Sequence, residues 1–213
     1  KWKKITKGIS DGNLNYVRNI QEDPVRRGLL YLGTENALYF SLDDGENWHP
    51  LMTNLPHSPM YWIDIQKHFN DLVLGTYGRG IWILDDISPL QQLTKDVVAS
   101  DAWLFNPRPV YRFRPVSRTM QFYPGPSSGK NPPYGASINY WLLKKNDSIT
   151  LSIKDSLGNV VRTIHAKGKP GINRIWWNLR GEPCREIVMR TEPEYVDWYP
   201  MDKARKRKAT VSP

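Results

Sequence analysis

The sequence predicts an all-β protein, with about two blades from the end of a β-propeller followed by an immunoglobulin-like β-sandwich. Three observations give this prediction. Aromatic residues, which favour strands, are frequent, with 9 Trp and 11 Tyr. The 15 Gly and 17 Pro require many turns, and no long apolar stripe at helical spacing is present. A strand–turn–strand pattern also recurs after 42 residues, a period typical of propeller blades.

The repeat is clearest in two segments, residues 31–44 and 73–86. They align at a constant offset of 42, with Leu-Gly-Thr and Leu-Asp-Asp identical in both. Each segment reads as a strand, a tight turn and a second strand. The turns centre on residues 35–36 and 77–80, where Asn and Gly tolerate a positive φ. Because a blade contains four strands, the pattern predicts one full repeat and a final three-stranded copy.

A hairpin motif lies inside the first copy, at Ser41-Leu-Asp43-Asp-Gly45-Glu-Asn-Trp48. Asp43 can accept hydrogen bonds from turn amides, and Gly45 can adopt the left-handed conformation. Trp48 can fold back into the core. We therefore interpret these residues as structural, and a metal role for the acidic residues is the alternative.

This motif fits the Asp-box pattern, and the chain resembles the sortilin-like, Asp-box (BNR) repeat proteins often described as glycosyl hydrolases. The resemblance covers roughly residues 1–195. The stretches that carry it besides the Asp box are 22–24, 28–31, 54–56, 78–86, 129–136 and 173–180. It implies an exported propeller protein, located in the periplasm, at the cell surface or outside the cell, with an immunoglobulin-like domain after the propeller.

The predicted organisation has four parts. Residues 1–90 form the last propeller blades, and residues 91–133 form a Pro-rich connector. Residues 134–182 form the sandwich, because strands recur there every 10–12 residues, and residues 183–213 form an irregular basic tail. Two blades cannot close a ring, so we expect the missing blades to come from the rest of a longer polypeptide or from another chain.

Composition restricts the partners and cofactors. The formal charge is +9, and five of these charges lie at residues 203–208, which leaves a net of +4 elsewhere. We interpret this run as a solvated end; nucleic acid or an acidic membrane surface is the alternative, which a body without a basic stripe does not support. With one cysteine, Cys184, and four scattered histidines, the sequence predicts no metal site and no cofactor. No transmembrane segment is predicted.

The propeller geometry places candidate ligand residues on the rim opposite the Asp box. Asn36, His57, Tyr77 and Arg79 are the predicted ligand-binding residues there, beside Tyr61. Arg79 is the only arginine that the sequence places on this rim, as a turn residue paired with a neighbour or as an anion contact.

Glycoside hydrolysis requires two positioned carboxylates. The candidates on this side of the predicted propeller are Glu35 and Asp64. The first functional hypothesis is thus a protein that recognises or cleaves a glycan. The second is a non-catalytic scaffold that binds a protein or peptide, as sortilin-like propellers do. A second carboxylate within about 5–10 Å of Glu35 or Asp64 would favour the first hypothesis, and a mixed rim without such a pair would favour the second.

Overall fold

The computed structural model describes residues 3–112, 129, 131–183, 187–188 and 208–209. Within them the chain forms 14 strands and two short helices, so the all-β prediction is confirmed. In chain order the elements are β1 (Val17–Glu22), β2 (Leu30–Thr34), β3 (Leu38–Ser41), β4 (His49–Pro50), β5 (Met60–Gln66), β6 (Asp71–Thr76), β7 (Ile81–Leu84), α1 (Ser88–Gln92), α2 (Lys95–Ala99), β8 (Ala102–Leu104), β9 (Ala136–Leu142), β10 (Asn146–Lys154), β11 (Val160–Gly168), β12 (Gly171–Trp177), β13 (Ile187–Val188) and β14 (Lys208–Ala209).

The two repeat segments form two antiparallel meanders. The first sheet has the order β1-β2-β3-β4, and the second sheet has the order β5-β6-β7. Both sheets interrupt their first strand pair at the same place, between Val17 and Asn19 and between Met60 and Trp62. The repeat in sequence is therefore a repeat in backbone geometry.

The constant offset of 42 is wrong for the third strand of each sheet. Gly33 pairs with Leu38, whereas Gly75 pairs with Ile81, so β3 and β7 correspond at an offset of 43. The second turn is one residue longer, and the segment after β7 is one residue shorter. The two copies realign at Asp44 and Asp86, which adopt the same left-handed conformation, with φ of 57° and 56°.

The main core lies between the first two sheets. Tyr31 and Leu38 from the first sheet and Ile63 and Leu74 from the second are at most 3% exposed in one continuous cluster. Phe105 closes this cluster from the connector, at 1% exposure. Burial of such side chains stabilises a fold by about 1.5–3 kcal/mol each.

The connector is more regular than its proline content predicts. It contains the end of α1 and all of α2, and its strand β8 pairs with β9 in a third sheet of order β12-β9-β8. Strands β10 and β11 form a separate hairpin. The short pair β13–β14 joins residues 187–188 to 208–209, so residues 203–207 of the basic run and Cys184 lie outside the described part of the chain.

Candidate functional site

Two turns and two strand entries meet at one edge of the first two sheets. The backbone N–H of Glu35 donates to Tyr16 O at 3.3 Å, and the N–H of Tyr77 donates to Pro59 O at 3.0 Å. Each turn is closed by a threonine, Thr34 or Thr76, whose N–H and hydroxyl both donate to the carbonyl at the far side of the turn. The β2–β3 and β6–β7 turns are thus fixed beside the starts of β1 and β5.

An arginine organises this edge. The Arg18 guanidinium donates to Glu35 Oε2 at 2.6 Å and to the Tyr16 hydroxyl at 2.6 Å. Its central carbon lies 4.5 Å from the Tyr16 ring centroid and 4.8 Å from the Tyr61 ring centroid. The Tyr77 ring continues the stack, 5.7 Å from the Tyr61 ring. We call these five side chains the tyrosine rim.

Charge on the tyrosine rim is largely fixed. The hydrogen bond from Arg18 lowers the pKa of Glu35 below its ordinary value. Desolvation and the hydrogen bond to Glu35 raise the pKa of Tyr16. At neutral pH Glu35 is therefore a carboxylate held by a cation, which makes it a poor proton donor for general acid catalysis.

The remaining ligand-binding candidates lie next to the tyrosine rim. His57 Nδ1 is 3.2 Å from Asn36 O, which ties the connection before β5 to the β2–β3 turn. The Trp82 indole N–H donates to Arg79 O at 3.0 Å and steadies the longer turn. The Arg79 side chain is exposed and has no partner among the described residues. Of the four predicted residues, Tyr77 is the one that belongs to the tyrosine rim, through its contact with the Tyr61 ring.

Asp64 is not part of this arrangement. Met60 lies close to Gly33, just below the β2–β3 turn, and Asp64 is four residues further along β5, which corresponds to about 13 Å. Its Oδ1 accepts a hydrogen bond from the next backbone amide, that of Ile65, at 2.8 Å. The structure therefore does not bring Glu35 and Asp64 together at the roughly 5–10 Å that paired glycosidase carboxylates need.

Asp64 instead borders an open groove of about 540 Å³ at the other end of β1. The groove is lined by Gln21, Glu22, Asp23, Pro24, Val25, Arg27, Asp64, Ile65 and Lys67. The loop after β1 lines this groove and is held in place by Asp23. This side chain is 4% exposed and accepts from the N–H groups of Val25 and Arg26, both at 2.8 Å. Arg26 in turn donates to Leu90 O and Leu93 O at the end of α1.

The Asp-box segment forms a compact hairpin between β3 and β4. Asp43 Oδ1 accepts from Asn47 N and from the Ser41 hydroxyl, both at 2.8 Å. Gly45 has φ of 85°, and Trp48 is 2% exposed. Although burial opposes ionisation, hydrogen bonds from Asn47 and Ser41 lower the pKa of Asp43 to about 2. All of these polar contacts are internal to the hairpin.

Asp86 is a buried carboxylate that was not predicted as a site residue from the sequence. Asp86 is 1% exposed and accepts from the hydroxyls of Ser88 at 2.6 Å and Ser137 at 2.5 Å and from the Asn139 amide at 3.0 Å. Arg174 donates to Asn139 Oδ1 at 2.8 Å and to Asp86 O at 2.7 Å. We call these five residues the Asp86 cluster; it joins the end of the second sheet to the third sheet.

Arg18 was not predicted as a site residue, because the prediction from the sequence placed only Arg79 on this rim. The available signal was the spacing of Tyr16 and Arg18, two residues apart at a strand entry, where alternate side chains point to one side. For Arg174 the available signal was its position in the stretch 173–180, which resembles the family. Arg18 binds Glu35 and Arg174 binds Asp86, and both partners are distant in sequence.

Within the described residues, no three or more His, Cys, Asp or Glu side chains are grouped so that they could hold a metal ion. No helix in the same residues has the length and hydrophobicity needed to cross a membrane. Comparison of the chain with protein families, curated proteins and solved structures finds no match.

Proposed function

We propose that the protein is a non-catalytic binding module whose tyrosine rim contacts a protein or peptide ligand. The observation that carries this proposal is the composition of the rim. It presents three tyrosines and one arginine, and its single carboxylate, Glu35, is neutralised by Arg18 at 2.6 Å. Tyrosine and arginine are enriched among the residues that dominate the binding energy of protein interfaces.

The architecture we propose for this module is a propeller of the Asp-box type followed by an immunoglobulin-like domain. Two successive antiparallel meanders that share a bulge position and pack face to face support the propeller. The third sheet and the β10–β11 hairpin support a second β-domain. Export from the cell is part of the proposal and is based on the family resemblance alone.

Pre-organisation supports binding at the rim. Arg18 is held by one ion pair and two aromatic rings, and both turns are closed by threonine hydrogen bonds. A ligand therefore does not have to order these groups, which lowers the entropic cost of association. Arg79, exposed on the adjacent turn, supplies an unpaired positive charge within the described residues for an acidic side chain of the ligand.

Glycan recognition is the second candidate, and one observation favours it. The Tyr77 ring is 72% exposed at the end of the aromatic stack. An exposed aromatic ring of this kind can stack on a sugar ring. Hydrolysis is not part of this candidate, because Glu35 and Asp64 lie at opposite ends of the strands.

Panning a displayed random-peptide library and a glycan array against the full chain tests the proposal. We expect selected peptides to lose at least tenfold in affinity with Tyr77→Ala or Arg79→Ala, measured by titration calorimetry. Tyr111→Ala, an exposed tyrosine outside the rim (60% exposed), is the matched control and leaves affinity unchanged. Peptide binding that survives both Tyr77→Ala and Arg79→Ala contradicts the proposal, and enrichment of glycans alone supports the second candidate.

A further inference from the structure

The open groove beside Asp64 has no role in the proposed function, because the tyrosine rim lies at the other end of β1. Its lining residues come from two parts of the chain. One part is the end of β1 with the loop that follows, and the other is the end of β5 with Lys67 just after it. We call this surface the β1–β5 groove. Its volume of about 540 Å³ lies within the range of about 300–1,000 Å³ that is typical of ligand sites.

Four exposed charged side chains line the β1–β5 groove, two of each sign. Glu22 and Arg27 come from β1 and its loop, and Asp64 and Lys67 come from β5 and the turn after it. None of these four side chains takes part in an ion pair with another described residue. Charges of both signs are therefore available to a ligand in the groove.

Both exposed carboxylates are positioned by backbone amides instead of by cations. Glu22 Oε1 accepts from Gly28 N at 3.1 Å, and Asp64 Oδ1 accepts from Ile65 N at 2.8 Å. The second oxygen of each carboxylate has no partner among the described residues. Each can therefore accept a charge-assisted hydrogen bond from a ligand ammonium or guanidinium group.

The loop that carries Arg27 is built around a buried carboxylate. Asp23 accepts from the N–H groups of Val25 and Arg26, and from the Gln91 amide at 3.1 Å. A carboxylate is costly to bury unless it is hydrogen-bonded. Here its bonds fix the loop that presents Arg27 and Val25, which is 67% exposed. Such pre-organisation lowers the entropic cost of binding a ligand.

The rest of the lining favours a peptide as the ligand. Pro24, Val25 and Ile65 add apolar surface to the four charges, and no aromatic side chain is among the described residues that line the groove. It therefore offers no ring on which a nucleic acid base could stack. A peptide can supply both charges on flexible side chains. In an extended peptide, side chains on the same side recur every second residue, about 7 Å apart.

We propose that the β1–β5 groove binds an extended peptide segment with a basic and an acidic side chain two residues apart. The basic side chain pairs with the carboxylates of Glu22 and Asp64, and the acidic side chain pairs with Arg27 and Lys67. This inference does not depend on a ligand at the tyrosine rim, because the two surfaces lie at opposite ends of β1.

Titration of the full chain with short blocked peptides, followed through amide shifts in two-dimensional NMR spectra, tests the proposal. The probe is Ac-Gly-Arg-Ala-Glu-Gly-NH2. The peptide with Arg and Glu exchanged is also used, because the groove does not fix the direction of the bound chain. Neutral probes carry citrulline in place of Arg or Gln in place of Glu. We expect each neutral replacement to weaken binding about two- to fivefold, the size of a partly exposed ion pair, and salt of about 1 M to reduce this difference.

Two pairs of substitutions assign the contacts. Arg27→Gln with Lys67→Gln should remove the preference for Glu over Gln in the probe and keep the preference for Arg over citrulline. Glu22→Gln with Asp64→Asn should do the reverse, and both changes retain an oxygen that can accept from the backbone amide. Lys154→Gln, at an exposed position on β10, is the matched control and should change neither preference.

Three results would overturn the proposal. The first is the absence of amide shifts in the β1–β5 groove with both charged peptides. The second is equal affinity for charged and neutral probes, and the third is a pair of preferences that all four substitutions leave unchanged. Shifts confined to the tyrosine rim would give the first result while supporting the proposed function, so the two proposals fail separately.

Discussion

Replacement of Asp86 by asparagine should destabilise the protein strongly. Asparagine keeps the size of the side chain and tolerates the left-handed backbone at this position, so the change removes mainly the charge. Asp86 accepts three side-chain hydrogen bonds within the Asp86 cluster while 1% exposed. Hydrogen bonds to a charged group contribute about 1.5–3 kcal/mol each, and the new amide N–H₂ would face donors instead of accepting from them.

We therefore expect Asp86→Asn to lower the free energy of unfolding by about 3–5 kcal/mol, which corresponds to the loss of two of these hydrogen bonds to a charged group. With a urea m-value of about 2 kcal/mol per M, the midpoint should fall by about 2 M. Asp44→Asn is the matched control, because Asp44 has the same φ but is exposed. It should change stability by less than about 0.5 kcal/mol.

The pH dependence provides a second test of the same reasoning. Burial alone would raise the pKa of Asp86, but hydrogen bonds from Ser137 and Ser88 and the charge of Arg174 outweigh it, so the pKa lies below its ordinary value. A depressed pKa means that the stabilisation is complete above the unfolded value of about 4 and is lost as pH falls through the folded value. Two results would refute the reasoning. One is an equal decrease in the free energy of unfolding for Asp86→Asn and Asp44→Asn, and the other is a difference between the parent chain and Asp86→Asn that stays the same at low pH.

Three further predictions concern the rest of the fold. Trp48→Ala should cost about 3–5 kcal/mol in urea unfolding and leave the affinity of any ligand of the tyrosine rim unchanged; selective loss of binding would place the Asp box in the functional site. Asp43→Asn should lower the free energy of unfolding by only about 1 kcal/mol above pH 4, because solvent screens the charge of this exposed carboxylate. The difference from the parent chain should vanish as pH falls through the Asp43 pKa of about 2. Arg26→Ala should speed amide exchange in α1, since Arg26 donates to two carbonyls there; unchanged exchange would contradict the anchoring role.

Local patterns allowed much of the first two sheets to be predicted. The Asp-box residues bond to one another within eight positions, so their spacing in sequence already contains their geometry. The repeat likewise located both turns, because Thr34 and Thr76 close them with the same bonds. The register of β7 was not predictable from the Leu-Asp-Asp residues that both copies share. The turn before β7 has one residue more than the turn before β3, and the segment after β7 has one residue fewer, so the two differences cancel in the sequence alignment.

The candidate site was harder to predict because its contacts are long-range. Glu35 and Tyr77 were identified from their turns, but Arg18 lies 17 residues before Glu35 and contacts Tyr61 on a different strand. Glu35 and Asp64 were considered together because both lie on one predicted side. Their separation along the strands follows from the register of β5, which composition and motif spacing do not specify.

The Asp86 cluster explains why the second copy of the repeat departs from the Asp box after its two acidic residues. In the first copy, Asp44 is followed by Gly45 and a returning strand that places Trp48 in the core. In the second copy, Ile87 and α1 follow instead, and Ile87 N donates to Asn70 O at 2.7 Å. Asp44 and Asp86 share the left-handed φ, but the Asp44 side chain is exposed, whereas the Asp86 side chain accepts from Ser137 and Asn139 of the third sheet. The hairpin is therefore absent at the same place where the chain makes its contacts to the third sheet, and among the described strands β7 has no following strand of the kind that β4 provides in the first sheet.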